Sequence, residues 1–153
     1  MLTNPAGMNN LTRTTIGSAI RVHRHYGPGL LESVYDEAFT YELQDQGLEV
    51  AKRVPIPLVY RGRKLSAHYE IDLLVGGSLI VEVKSVSALA PIHTAQLLTY
   101  LKLTGLPVGL LINFNVPVLK DGVRRVVLPG HADPRPADDS LARGLPPRAS
   151  REG

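Results

Sequence analysis

The sequence of 153 residues has no cysteine, no long apolar run and no strong excess of either charge. The absence of cysteine excludes a disulfide framework and a thiolate metal site, and it fits a reducing compartment. No apolar run approaches the roughly 18 residues that a membrane-spanning helix needs. The N-terminal residues also lack the basic-then-apolar layout of a signal peptide. We therefore expect a soluble cytoplasmic protein with no membrane partner.

The charge pattern favours a polyanionic partner only weakly. The net charge is +3, and short basic clusters are dispersed at residues 23–25, 61–64 and 124–125. Each cluster alone is explained more simply as a solvated face. Charge by itself therefore does not indicate a nucleic-acid-binding protein.

The chain is long enough for one domain with a substantial core. Apolar periodicity, glycines and prolines predict helices over 11–26, 30–46 and 91–105, and extended segments over 48–60, 65–75, 78–86, 107–115 and 122–128. Pro55 and Pro57 should confine the first extended segment to a sheet edge or an irregular strand. This order of elements predicts an α/β domain with a central mixed β-sheet flanked by helices.

A proline-rich tail over residues 129–153 should follow a domain over residues 1–128. The tail has few large apolar side chains, so we expect it to be disordered.

Removal of residues 130–153 should leave the melting temperature nearly unchanged, because the tail offers little apolar surface to bury. Thermal unfolding of the full-length and truncated chains tests this expectation. A large decrease on truncation would mean that the tail packs against the domain.

Three ionisable side chains interrupt the apolar stretch "IDLLVGGSLIVEVKS" at residues 71–85. A two-residue turn at the two glycines would point Glu82 away from Asp72. A three-residue turn, common where glycine is present, places Asp72 opposite Glu82 and puts Lys84 on the same face. We prefer this second register, because it gathers most apolar side chains, Ile71 among them, on the other face.

Two opposed carboxylates repel each other unless a positive group lies between them. Oxygen ligands without nitrogen or sulfur select Mg²⁺ or Mn²⁺ over zinc. A lysine beside such a cation can orient or deprotonate an attacking water, or stabilise charge that grows on a phosphate. A structural salt-bridge cluster on a solvated sheet face explains this stretch equally well.

Further motifs carry a resemblance to a known family. Asp72, nine residues and then "EVK" resemble the Asp…Glu-x-Lys signature of the PD-(D/E)XK nuclease superfamily, with Ile71 where that signature has proline. "GLLESVY" at 29–35 matches the motif of the GxxExxY family, and "QLLTY" at 96–100 matches the Q-x-x-x-Y box of RecB-type nucleases. On these motifs residues 11–128 are identified as a GxxExxY protein of that superfamily.

The resemblance implies a restriction-endonuclease-like core and a Mg²⁺-dependent nuclease, with Mn²⁺ able to substitute. The substrate would be nucleic acid, DNA rather than RNA. Asp72, Glu82, Glu32 and the Val83 backbone carbonyl would bind the metal. The three carboxylates and Lys84 would be the catalytic groups.

Four side chains on the helices are candidates for substrate binding. Tyr35 shares a helical face with Glu32, and His93, Gln96 and Tyr100 share a face of the third helix. Three of the four have a simpler alternative. Tyr35 can be a core aromatic with a satisfied hydroxyl, His93 a polar residue at a helix start, and Gln96 an exposed side chain. An acid in a first helical turn, such as Glu32, also suits the helix dipole.

Two rival functions stay open at this point. The chain can be a non-catalytic nucleic-acid-binding or regulatory protein on the same fold that has lost turnover. The presence of all the key residues argues against such a loss, but the basic surface is thin for a strong DNA binder. It can also be a small structural or oligomerising domain with a salt-bridged sheet. The sequence leaves the oligomeric state open, a homodimer included.

Overall fold

The computed structural model describes residues 5–130, with side chains from residue 7 onwards. The helices and strands along this part of the chain are α1 (Pro5–Tyr26), α2 (Glu32–Asp45), β1 (Val50–Tyr60), β2 (Arg63–Val75), β3 (Leu79–Lys84), α3 (Pro91–Thr104), β4 (Val108–Asn113) and β5 (Val123–Val127). A 3-10 turn over Leu119–Gly122 precedes β5. The predicted tail lies almost wholly outside the described residues.

The strands form one mixed sheet in the order β1-β2-β3-β4-β5. The β3–β4 pair is parallel, and the other three pairs are antiparallel. Helix α3 makes the crossover between the two parallel strands. The predicted α/β class and mixed sheet are confirmed, and β1 with its two prolines lies at an edge of the sheet.

The predicted three-residue turn between β2 and β3 is confirmed. Leu73 pairs with Val81, and Val75 pairs with Leu79. Gly76 and Gly77 adopt φ angles of 60° and 71°, in the left-handed region that glycine tolerates best. The glycines therefore set the turn length that brings Asp72 towards Glu82.

Two hydrophobic clusters hold the helices on opposite faces of the sheet. Helices α1 and α2 cover one face, where Phe39 packs with Leu73 and Val81. Helix α3 covers the other face, where Leu97 packs with Ile80. The sheet is thus buried between two helical layers.

Ile71 corrects one detail of the predicted hairpin. It packs in the cluster on the α3 face with Ile80, and not with the apolar side chains of the opposite face. The β2–β3 pairing ends at Leu73, and Arg53, the β1 residue beside Asp72, has a left-handed φ of 51°. The alternation that the hairpin imposes therefore does not extend to Ile71.

Helix α1 begins earlier than its apolar periodicity predicts. It includes Met8, which is buried in the cluster under α1 and α2. Pro5 suits a first helical turn, where its missing N–H costs nothing. None of the helices described between residues 5 and 130 is long and apolar enough to cross a membrane.

Candidate active site

Asp72 and Glu82 meet where β2 separates from β3. Beyond the Leu73–Val81 pair, the two strands are joined by hydrogen bonds from a backbone N–H of one strand to a carboxylate of the other. The Asp72 N–H donates to Glu82 Oε2 at 2.9 Å, and the Val83 N–H donates to Asp72 Oδ2 at 3.0 Å. These two bonds fix both carboxylates at one place and use one oxygen of each.

Burial and mutual repulsion oppose ionisation of this pair. The residue Glu82 is only 4% exposed. Burial, followed by the charge of Asp72, raises the pKa of Glu82 to about 8. Burial also raises the pKa of Asp72, although the hydrogen bond from Val83 N–H opposes that increase. The pair therefore retains a proton at neutral pH unless a cation replaces it.

Lys84 supplies the positive charge that acts most strongly on this pair. It lies two residues after Glu82 on β3 and is half-buried. Its charge lowers the pKa values of Glu32, Asp72 and Glu82, against the stronger effect of burial. Among residues 5–130 it forms no ion pair within 4.0 Å. The salt-bridge cluster proposed as the structural alternative is therefore not formed.

Glu32 approaches the pair from the start of α2. Its carboxyl is at the surface, and partial desolvation, opposed by Lys84 and assisted by Asp72, raises its pKa. The Ser85 hydroxyl donates to the Leu30 carbonyl at 2.6 Å. This bond ties the residue after Lys84 to the segment that leads into Glu32.

Glu32 and Asp72 line one cleft of about 440 Å³ between α2 and the β1–β2 strands. Asp36, Lys52 and Arg53 line it too, and Lys52 Nζ lies 2.7 Å from Asp36 Oδ1. These three residues are not among those predicted from the sequence. Asp36 lies four residues after Glu32 on the same helical face, a signal that could have found it.

The donor chemistry at Asp72 and Glu82 fits a hard divalent cation. The two adjacent carboxylates raise each other's cost of ionisation, and an oxygen-binding cation would remove that cost. Val83, between Glu82 and Lys84, offers a carbonyl oxygen of the same kind. Within residues 5–130 no three His, Asp or Glu side chains lie close enough together to form a complete metal cluster. The fit to a divalent cation therefore rests on Asp72 and Glu82, with Glu32 at the surface beside them.

A family model of the PD-(D/E)XK nuclease superfamily matches residues 9–126. The chain belongs to this superfamily. The comparisons with curated proteins and with solved structures find no match. The matched region contains all the candidate site residues and ends within β5, and the five-stranded mixed sheet is consistent with the restriction-endonuclease-like fold.

Tyr100 lies close enough to Asp72 and Glu82 to feel their charges. It is 4% exposed, and burial followed by the charges of Glu82 and Asp72 raises its pKa to about 12. Its ring centroid is 5.4 Å from that of Tyr69. Tyr100 therefore forms part of the wall around the acidic pair.

His93 and Gln96 lie earlier on the same helix, nearer its N-terminus. The Ala90 N–H donates to His93 Nδ1 at 3.0 Å, so this ring caps the start of α3. Gln96 is half-buried. In the described part of the chain no hydrogen bond or ion pair joins either side chain to the carboxylates. The helix-start alternative accounts for the observed contact of His93.

Tyr35 is a core residue of the PD-(D/E)XK domain. Its side chain is fully buried, and its ring stacks on Phe114 with centroids 4.7 Å apart. Its hydroxyl donates to the Gly27 carbonyl at 2.5 Å and accepts the Leu30 N–H at 3.2 Å. These contacts favour the structural alternative over substrate binding, because the hydroxyl is satisfied inside the protein.

Asn113, at the end of β4, holds the chain just after Lys84. Its Oδ1 accepts the Val86 N–H at 3.0 Å, and its Nδ2 donates to the Val86 carbonyl at 3.0 Å. The side chain is buried. A polar residue at the end of a buried apolar strand was the signal that could have marked it as a positioning residue.

Replacing Asn113 with alanine should lower the free energy of unfolding by about 2 kcal/mol or more, because both polar groups of Val86 lose a buried partner. Asn115→Ala is the matched control, because Asn115 Nδ2 donates only one bond to that carbonyl, at 3.2 Å. Urea unfolding measures both variants. Equal losses would contradict the anchoring role of Asn113.

Proposed function

We propose that this PD-(D/E)XK protein is a Mg²⁺-dependent nuclease that hydrolyses phosphodiester bonds of DNA. The observation that carries the proposal is the meeting of Asp72 and Glu82 beside a lysine without an ion pair. A structural salt bridge would neutralise Lys84, whereas a hydrolytic site needs its charge for the reacting phosphate. Membership of the nuclease superfamily supports the same function.

The metal ligands in this proposal are Asp72, Glu82, the Val83 carbonyl and Glu32. A bound Mg²⁺ would polarise the phosphate and lower the pKa of the attacking water, and Mn²⁺ would take the same oxygen ligands. The protein prepares the site through the N–H groups of Asp72 and Val83, which hold one oxygen of each carboxylate in place. The second oxygen of each carboxylate takes no part in these two bonds and would face the metal.

Lys84 is the catalytic residue that acts on the reacting atoms. Its ammonium group would orient the attacking water and stabilise the negative charge that grows on the phosphate during in-line attack. The burial of Glu82 strengthens these interactions, because little water screens them. The chain after Lys84 is held by Ser85 and Asn113, so the ammonium group starts from a fixed backbone.

The GxxExxY motif, in this proposal, presents Glu32 to the metal. Gly29 has a left-handed φ of 101°. The Tyr35 hydroxyl bonds Gly27 and Leu30 on either side of it. The motif's glycine and tyrosine thus order the turn that ends at Glu32. This local role supports membership of the GxxExxY family.

A cleavage screen tests the proposed function. Single-stranded, duplex and branched DNA, together with RNA, are incubated with the protein in Mg²⁺, in Mn²⁺ or in EDTA. DNA should be cut only with metal, and Asp72→Asn should remove the cleavage. Cleavage in EDTA would contradict the metal-dependent mechanism. Binding without cleavage under any condition would instead support the non-catalytic alternative.

A further inference from the structure

Strands β1 and β2 extend well beyond the rest of the sheet. Strand β2 pairs with β3 only over residues 73–75, but it pairs with β1 as far as Tyr60 and Arg63. Residues 57–68 form this two-stranded extension, here named the arm. Every residue of the arm except Leu58 is exposed. A two-stranded ribbon without a core contributes little to stability, so the arm is available for another task.

The arm and the part of β1 that leads into it have one sign of charge, whereas Glu70 and Asp72 follow the arm on β2. Residues 50–69 contain five lysine or arginine side chains and no aspartate or glutamate. Arg61, Arg63 and Lys64 lie at the tip of the arm, and the other two cations line the cleft beside Asp72. The Arg61 guanidinium lies 5.4 Å from the centroid of the Tyr60 ring, a cation–π contact. Lys52 in the cleft is paired with Asp36, so the cations at the far end of the hairpin form the positive surface that is separate from the acidic side chains.

The length of β2 sets the distance between the cations at the tip of the arm and the Asp72 carboxylate. Lys64 precedes Asp72 by eight residues on the same strand. At about 3.3 Å per residue, the tip lies roughly 26 Å from the carboxylate. This distance corresponds to about eight base pairs of B-form DNA at 3.4 Å each. A duplex that places one phosphate at the mouth of the cleft and runs along β2 can thus reach the tip within one helical turn.

Other observations disfavour a second copy of the chain as the occupant of the arm. Pro55 and Pro57 remove two N–H donors from the exposed edge of β1, and the pairing is irregular between Pro57 and Val59. Prolines and irregularities of this kind protect an edge strand from pairing with another chain. Two tips with three cations each would also repel one another. Charge complementarity therefore favours a phosphate backbone.

We propose that the arm binds the DNA backbone about eight base pairs from the bond that is cut. Arg61, Arg63 and Lys64 contact the phosphates. The inference rests on the proposed function, because it assigns a second contact surface to the same substrate. The arm fixes the direction of the DNA across the cleft and adds affinity without reading base sequence.

Paired variants of equal charge test this role. The arm variant combines Arg61→Asn, Arg63→Gln and Lys64→Gln. Asparagine is chosen because Arg61 has a left-handed φ of 49°, which asparagine tolerates. The control variant replaces three exposed cations outside the hairpin with glutamine, namely Arg13, Arg24 and Lys120. Fluorescence anisotropy of a labelled duplex of about 30 base pairs, long enough to span cleft and arm, is followed in EDTA at several salt concentrations.

The arm variant should bind the duplex at least about 10-fold more weakly than the wild type at ~0.1 M salt, while the control variant changes much less. The slope of log K against log salt should become shallower by about 2 to 3, since each phosphate contact contributes about 0.9. Lys64→Gln alone, at a regular strand position, should change the slope by about one. Unchanged melting temperatures of the variants show that the fold is kept.

Three results would overturn the inference. The arm variant can bind like the wild type, it can lose no more affinity than the charge-matched control, or it can alter the oligomeric state measured by light scattering. Binding in EDTA requires no cleavage, so it is independent of the proposed chemistry. A protein that binds through the arm but never cuts DNA would refute the nuclease proposal and would leave the arm as a contact with the DNA backbone only. Normal cutting with an arm that contributes nothing would refute only this inference.

Discussion

Replacing Lys84 with methionine should slow Mg²⁺-dependent cleavage of DNA by at least about 100-fold, the usual loss when a charge that acts on the transition state is removed. Methionine keeps an aliphatic stem at this half-buried position but has no ammonium group. The metal-induced increase in melting temperature should remain, because Lys84 is not a metal ligand in the proposed site. Single-turnover cleavage and thermal unfolding measure the two effects separately.

Lys102→Met is the matched control for this variant. Lys102 is exposed in the last turn of α3, away from the carboxylates, so its loss should leave the cleavage rate close to that of the wild type. If the Lys84→Met variant cleaves DNA at the wild-type rate, Lys84 has no part in the mechanism. Loss of the metal response together with the activity would instead assign Lys84 a structural role.

Replacing Glu82 with glutamine should stabilise the metal-free protein above pH 8 and abolish cleavage. The pKa of Glu82 is raised from 4.5 to about 8. The folded wild type therefore retains a proton that the unfolded chain releases, and it loses stability as the pH rises from 4.5 through 8. Glutamine does not titrate, so the variant avoids a loss on the order of a few kcal/mol. Its amide oxygen can still accept the Asp72 N–H.

Urea unfolding of both proteins between pH 5 and pH 9 measures this difference. The advantage of Glu82→Gln should grow with pH and should disappear when Mg²⁺ is added, because the cation stabilises only the wild type. Glu49→Gln is the control, since Glu49 is exposed just before β1 and its replacement should change the stability little. A variant that is less stable than the wild type at every pH would contradict the repulsion between Glu82 and Asp72.

Much of the hairpin around the site follows from local sequence rules. Two glycines set a three-residue turn, and period-two alternation of apolar residues then selects the register that pairs Leu73 with Val81. That register alone brings Asp72 towards Glu82. The rule stops applying at Ile71, because beyond Leu73 the strands are joined through side chains and not by a regular ladder.

The remaining site residues depend on contacts between distant segments. Lys52 and Arg53 reach the cleft because β1 pairs with β2, a register that an irregular strand with two prolines does not reveal. Asn113 bonds a segment that lies 27 residues earlier in the chain. Tyr35 shows a limit of local rules. Helical spacing places it beside Glu32, but spacing alone does not tell which of the two side chains faces the core.

The arm shows why a turn can be predicted without its function. The "RGRK" turn is evident from sequence, but its protrusion depends on the relative lengths of three strands. Strands β1 and β2 have 11 and 13 residues, whereas β3 has only 6. The neighbour that would cover the distal half of the hairpin is therefore missing from the sheet. Only the assembled sheet shows that the basic tip is exposed on both faces.

Metal-linked stability is the most direct test of the site formed by Asp72 and Glu82. Mn²⁺ at about 100 times its Kd should stabilise the folded wild type by about 2.7 kcal/mol, which corresponds to an increase in melting temperature of roughly 5 °C or more. Asp72→Asn should melt higher than the wild type without metal, because one repelling charge is gone, and it should lose the response to Mn²⁺. A wild type that does not respond to millimolar Mn²⁺, together with a destabilised Asp72→Asn variant, would contradict the metal site.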